Sequence, residues 1–242
     1  MPPPVTNTLA PAMVDIYVPL LGKVKISRDF WGRMEDFLQQ QWENLRQTSG
    51  LEAIAVVAGI LSVWYSRQEN ILVYPIGLVN TTIYIYLSIQ GQLYGEASVN
   101  FYYTAVSLYG WAAWNRKDAQ QLHVLQIQHS TRQGWVAQWA FFLLCFLLLF
   151  TLLTQLKNRF APGVIPWADA LASSAAYTGM WLMARKKVES WYWWILTNIV
   201  SIPLYVVKGY AFTGVYYLIL FFLAVNGLFE WRKKARPKLT HD

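Results

Sequence analysis

The sequence predicts an all-α integral membrane protein with seven transmembrane helices in a 3+1+3 arrangement, two parallel three-helix repeats around a connecting helix, preceded by an amphipathic helix. Three observations carry this. Only 14% of the 242 residues are charged and 55% are hydrophobic, whereas soluble domains average about 25% charged. The charges are segregated: Ile71–Gly95, Gln133–Leu156, Ser190–Val207 and Gly209–Phe229 contain no Asp, Glu, Lys or Arg. Each of these runs is close to the roughly 20 apolar residues a helix needs to cross a bilayer. Finally, the chain resembles itself at an offset of 117 residues.

Taken in order, residues 1–27 are rich in proline and lack the basic stretch of a cleavable signal peptide, so a disordered or extended tail is expected. Residues 28–48 read as an amphipathic interfacial helix, with Phe30, Trp31, Met34, Phe37, Leu38, Trp42 and Leu45 at near-helical spacing among charged residues. The spans follow at Leu51–Ser66, Ile71–Ile89, Glu96–Trp114, Gly134–Leu156, Trp167–Ala184, Ser190–Val207 and Thr213–Trp231. They group as a first repeat over 51–115, a connector over 134–156, a second repeat over 167–232 and a basic tail over 233–242.

The repeat rests on particular matches. At the 117-residue offset, "EAIAVVA" from Glu52 meets "DALASSA" from Asp169, Trp64 meets Trp181, and Leu87 meets Leu204. "GWAAWNRK" from Gly110 meets "GLFEWRKK" from Gly227, with no insertion across three helices. The connector, "FFLLCFLLLFTLL", has no counterpart and reads as a lipid-facing helix. An odd connector makes the two triplets parallel, the arrangement of carriers with a midplane site between repeats.

Lys and Arg in short loops mark the cytoplasmic side. Arg67, Arg116, Lys117, Arg132, Arg185, Lys186, Lys187, Arg232, Lys233, Lys234, Arg236 and Lys238 share one side, so the C-terminus is expected inside and the N-terminus outside. The net charge of +7 is mostly this signal. A nucleic-acid patch would need one continuous stripe, and these residues instead flank spans.

The stretch "ESWYWWILTN" (Glu189 to Asn198) points to a site. At about 100° per residue, Trp191, Trp194, Asn198, Ser201 and Tyr205 share an arc of about 80°. The matching arc of the second span holds Tyr74, Gly77, Thr81, Tyr84 and Ser88, and the third span carries Glu96, Asn100, Tyr103, Ser107, Gly110 and Trp114 on one face. Polar faces at membrane depth turn toward protein or water. Indoles and phenols hold flat rings and attract cations, and an asparagine serves a hydroxyl or amide. The expected binding residues are therefore Trp191, Trp194, Asn198, Asn100, Tyr103, Ser201, Tyr205, Thr81 and Tyr84. Trp64, Trp135, Trp139, Trp167 and Trp181 read as interfacial anchors. Asn100 can equally bond a neighbouring helix. Glu52 and Asp169 either cap helices or steer a cationic cargo.

Other chemistry is missing. His123, His129 and His241 share no helix face, Cys145 is the one cysteine, and no nucleophile–base constellation is placed. No metal, cofactor or enzymatic activity is expected. Glu96 is the one acidic residue placed to couple an ion, which favours passive carriage over pumping. A seven-helix sensor or receptor is the competing class, but it gives no reason for the repeat.

The segments "LYGEASVNFYYTAVSLYGWAAW" and "ESWYWWILTNIVSIPLYVVKGYAFTGVYYLILFFLAVNGLFEW" resemble the Pnu family of bacterial vitamin transporters, over roughly Leu51 to Lys234. The most specific part is Trp191-x-x-Trp194-x-x-x-Asn198 with its two Gly-x-x-x-Trp helix ends. The resemblance implies a homotrimer in the inner membrane and facilitated diffusion of nicotinamide riboside for NAD biosynthesis. It also implies trapping of the cargo by a cytoplasmic kinase. Trp191, Trp194 and Asn198 carry over to the family's central site, with Asn100 and Tyr103 in the matching third-helix region. Thiamine or another B vitamin is the alternative cargo, because an aromatic box accepts either flat cation.

Overall fold

In the computed structural model, residues 13–18, 22–27, 35–36, 39, 50–90, 94–117, 124–160, 165–208 and 210–235 are described. The chain divides into two units, Met1–Gln47 and Thr48–Asp242.

In the first unit, β1 (Met13–Val18) and β2 (Gly22–Ser27) form an antiparallel hairpin with Met13 opposite Ser27 and Val18 opposite Gly22. Of the disordered or extended tail expected over 1–27, these residues are extended strands, and the rest lies outside the described residues. Alternation of Val14, Ile16 and Val18 against Val24 and Ile26 supplies strand character that the proline content obscures. Of the amphipathic helix expected over 28–48, Glu35, Asp36 and Gln39 are helical and exposed, and the rest lies outside the described residues.

The second unit holds seven helices among the described residues. They are α1 (Gly50–Arg67), α2 (Val73–Gln90), α3 (Tyr94–Asn115), α4 (Arg132–Phe160), α5 (Pro166–Ala184), α6 (Ser190–Val207) and α7 (Ala211–Lys234). Three segments, Gly50–Arg67, Arg132–Gln155 and Thr213–Lys234, are long and apolar enough to cross a membrane by length and composition alone. The other four fall short because Asn, Ser, Thr and Tyr dilute their hydropathy, and many of those residues face inward. Thr81, Ser88, Ser107, Ser174, Thr178, Thr197, Asn198 and Ser201 are all buried.

Each helix packs on the next within α1–α2–α3 and within α5–α6–α7, while α1 meets α7 and α3 meets α5. These contacts close a ring of six helices, with α4 outside against α5. On α4, Val136, Leu147 and Leu148 remain exposed and only Gln138 and Phe142 are buried. Close approach on the other side of α5 is possible because its buried face is mostly Ala, Ser and Gly.

Local geometry recurs at the 117-residue offset. The Asn80 amide donates to the Ala55 carbonyl, and the Thr197 hydroxyl donates to Ala172. Helices α1 and α5 end identically: Glu69 N–H bonds Ser66 O and Asn70 N–H bonds Tyr65 O, as Lys186 N–H bonds Met183 O and Lys187 N–H bonds Leu182 O. This is the double-bonded helix ending whose left-handed residue is usually glycine. Here Glu69 (φ 63) and Lys186 (φ 52) occupy it.

The main core cluster sits at the basic end of the ring, around Tyr74, Trp114, Trp191 and Trp231. Two ring pairs build it. Tyr74 meets Trp114 edge-on at 5.1 Å, and Trp191 meets Trp231 edge-on at 5.5 Å. Each inner ring lies against a glycine of the next helix, Tyr74 on Gly110 and Trp191 on Gly227. A methyl at Gly227 would lie 2.5 Å from the Trp191 ring, and such overpacking costs about 1–3 kcal/mol. Gly227→Ala is therefore expected to lower the thermal midpoint of the detergent-solubilised protein. Gly50→Ala, which meets open space, should leave it unchanged.

Candidate functional site

The tryptophan ladder on α6 divides in two. Trp191 is 1% exposed and belongs to the packed end cluster, between Trp231 and Gly227. Its indole N–H is buried without a hydrogen-bond partner. Trp194, one turn deeper, has a different setting. Its ring lies on α5 where Gly179 leaves room, since a methyl there would come within 3.3 Å of the indole. Across the ring of helices it faces Tyr103 of α3 at 6.3 Å. Asn198 and Ser201 are buried further along the same face. Trp193 points the other way, edge-on to Trp139 at 5.1 Å and tilted against Phe142 at 4.8 Å on α4.

Tyr103 is the hub of the aromatic group. It packs on Tyr177 of α5 at 6.3 Å and on its neighbour Tyr102, whose hydroxyl donates to the Tyr177 carbonyl. On α7, Tyr217 stacks on Tyr205 of α6 at 5.1 Å, and Tyr216 adjoins it. Gly59 leaves space for the Tyr216 hydroxyl beside the Asn80 amide. On the α2–α3 side, the Thr104 hydroxyl donates to Thr81. Tyr84 and Asn100 are half-buried on α2 and α3.

The structure therefore brings Tyr103 and Trp194 together, with Asn198 and Ser201 on the same face of α6 as the indole. It buries Trp191 in the end cluster, against which Trp194 also packs. Tyr102, Tyr177, Tyr216 and Tyr217 escaped sequence reasoning. For Tyr102, Tyr216 and Tyr217 the one signal is the doublets Tyr102-Tyr103 and Tyr216-Tyr217, and Tyr177 has none. Chemically, crossed phenol and indole faces beside a buried amide suit a flat ring bearing hydroxyls, each cation–π contact being worth about 0.5–2 kcal/mol. The described residues contain no group of three or more potential metal ligands.

Asp169 has both oxygens engaged. One accepts the Ile165 N–H as a helix cap, and the other pairs with Lys208 at 2.6 Å, tying α5 to α6 at the end away from the basic turns. Of the two roles open to it from sequence, the cap matches this geometry. Trp64, Trp135, Trp139 and Trp167 are exposed, with Arg67 over Trp64 at 4.0 Å. The Glu96 side chain lies outside the described residues.

A hydrogen-bond chain holds the start of α6. Glu189 accepts from the Ser130 N–H and hydroxyl at 2.9 and 2.8 Å and meets His129 at 3.0 Å. Gln138 of α4 donates to Ser130 and accepts from the Trp193 indole at 3.1 Å.

Residues 49–233 match the family model described as "Nicotinamide mononucleotide transporter". The chain belongs to this family. Among relatives of this transporter family, the nicotinamide riboside transporter PnuC of Escherichia coli (strain K12) is 27% identical over 216 residues, covering 78% of this chain and 88% of that protein. The riboflavin/roseoflavin transporter RibM of Streptomyces davaonensis is 27% identical over 196 residues, covering 78% and 89%. The crystal structure of the vitamin B3 transporter PnuC shares the fold, with a TM-score of 0.61 at 22% identity over 87% of this chain and 93% of that one. The family member described here is a multi-pass membrane protein.

Gln138→Leu leaves the Trp193 N–H and the Ser130 hydroxyl each without one partner in a dry setting. An unsatisfied buried group costs about 1–3 kcal/mol. A lower thermal midpoint is expected, together with a change in tryptophan fluorescence from Trp193.

Proposed function

We propose that this protein is a facilitative carrier, not an enzyme, that moves nicotinamide riboside across the bacterial inner membrane. All seven helices span the bilayer as a 3+1+3 arrangement, with the N-terminus outside and the basic end of the ring in the cytoplasm. Helices α1–α3 and α5–α7 are parallel repeats that rock around the central site, exposing it to each side in turn. Three copies assemble, and a cytoplasmic kinase that phosphorylates the cargo draws net uptake for NAD biosynthesis.

The observation that carries this reading is the Tyr103–Trp194 pair between α3 and α6, with Asn198 on the same face, in a member of a transporter family. Phenol and indole faces have the chemistry to hold a pyridinium ring, and the amide to bond its ribose hydroxyls. The pairwise contacts α1/α7 and α3/α5, which exchange under a two-fold axis, support the parallel repeats. A flavin is the second reading, favoured by the Streptomyces riboflavin transporter at the same identity. Thiamine would satisfy the same aromatic box.

Stacking of a base on an aromatic side chain is worth about 1–3 kcal/mol by alanine substitution. Trp194→Ala is expected to weaken nicotinamide riboside binding by about 5- to 150-fold and to abolish uptake. Trp191→Ala should instead lower stability, by about 3–5 kcal/mol as for other buried tryptophans. Calorimetric titration of both variants separates the roles, and wild-type affinity in Trp194→Ala would refute the site. Displacement of bound nicotinamide riboside by riboflavin and thiamine, titrated in turn, identifies the cargo.

A further inference from the structure

The endings of α1 and α5 both place a charged side chain where glycine is usual, and neither helix needs it for its own termination. Left-handed backbone is a cost for a residue with a side chain, and it persists where surroundings enforce it, often at switching elements. What the two positions share is each other. Lys186 Nζ lies 2.7 Å from Glu69 Oε1, joining residues 117 apart in the chain. The lysine side chain is only 5% exposed and its ammonium sits 4.7 Å over the Trp114 ring. An ammonium withdrawn from water in this way needs its countercharge, and that countercharge comes from the other three-helix group.

Beneath the pair lies a second layer of contacts that also join the two groups. Trp114 of α3 meets Trp231 of α7 at 6.0 Å. The Trp231 indole N–H is shared by the Ser66 and Arg67 carbonyls of α1, at 3.1 and 3.2 Å. The Ser66 hydroxyl reaches Met183 Sδ of α5 at 2.9 Å. On α3 the order along one face is Tyr103, Ser107, Trp114, so these layers stand between the aromatic site and the basic end.

We infer that the Glu69–Lys186 ion pair is the latch of a gate that closes the basic end, with Trp114, Trp231 and Met183 as the plug beneath it. This rests on the carrier reading, since a gate has meaning only where the two groups move apart. Separation strips Lys186 of its countercharge until the side chain reaches water, so the closed state is held by a charge pair instead of by apolar contact alone. The two partners are unequal. Lys234 also reaches Glu69, at 3.3 Å, so loss of Lys186 leaves the carboxylate a partner. Loss of Glu69 leaves the buried ammonium with none of its carboxylate partners.

The test uses a single thiol as a reporter. Cys145→Ala removes the one native cysteine, and Ser107→Cys places a thiol between Tyr103 and the plug, at a position that is 3% exposed. A membrane-impermeant maleimide is applied to the basic face, reached in inside-out vesicles. With the ion pair intact, labelling is slow. It is expected to rise about tenfold or more in E69Q, to rise less in K186M, and to fall again in the charge-swapped E69K/K186E. Equal labelling in all four proteins overturns the latch, and so does labelling of the swapped protein as fast as that of E69Q, because damage to the fold would then explain both. Flux of labelled nicotinamide riboside through the unaltered protein in proteoliposomes is read separately. Its absence removes the carrier reading, whereas the labelling pattern alone decides the latch.

Discussion

Hydrocarbon offers no partner to a hydroxyl, an amide or an ammonium, and the architecture follows from that refusal. Helices α2, α3, α5 and α6 carry too many Asn, Ser, Thr and Tyr residues to face lipid, so their polar sides turn inward and the greasiest helix, α4, is left outside. Several inward groups are satisfied within their own helix, as when Ser174 and Thr178 donate to carbonyls one turn back. Others reach across, such as Asn80 to Ala55 and Trp193 to Gln138. Small residues on α5 permit the close approach of α6, where the Trp194 ring lies over Gly179.

Within that frame the aromatic residues do two jobs. At the basic end, Tyr74, Trp114, Trp191 and Trp231 interlock edge to face and fill the space left by glycines, which leaves little freedom. Toward the middle, Tyr103 meets Tyr177 and Trp194 at 6.3 Å each, and hydroxyls and the Asn198 amide lie on the neighbouring faces.

Much of this was legible in the chain. Charge-free runs located the helices to within a few residues, because exclusion of charge from hydrocarbon acts on every span alike. The polar arc of α6 pointed to Trp194, Asn198 and Ser201 as an inward face, and Tyr103 of α3 does meet that face. The deeper burial of Trp191 than of Trp194 was not legible. A helical wheel gives a face but neither depth nor the neighbour across it, and Gly227 is what draws Trp191 into the core. Tyr177 was missed because its place in the site depends on α5 packing against α3. The extended character of β1 and β2 was allowed for in the chain but their pairing was not, because proline composition outweighed a short alternation of β-branched residues. Glu69 and Lys186 each look like ordinary loop charges until their 117-residue spacing is set beside the two left-handed turns.

That spacing has a chemical consequence. Glu69 and Lys186 stand at matching positions of the α1 and α5 endings. The same residue at both would set acid against acid or base against base, so this contact holds only because the two endings differ in sequence.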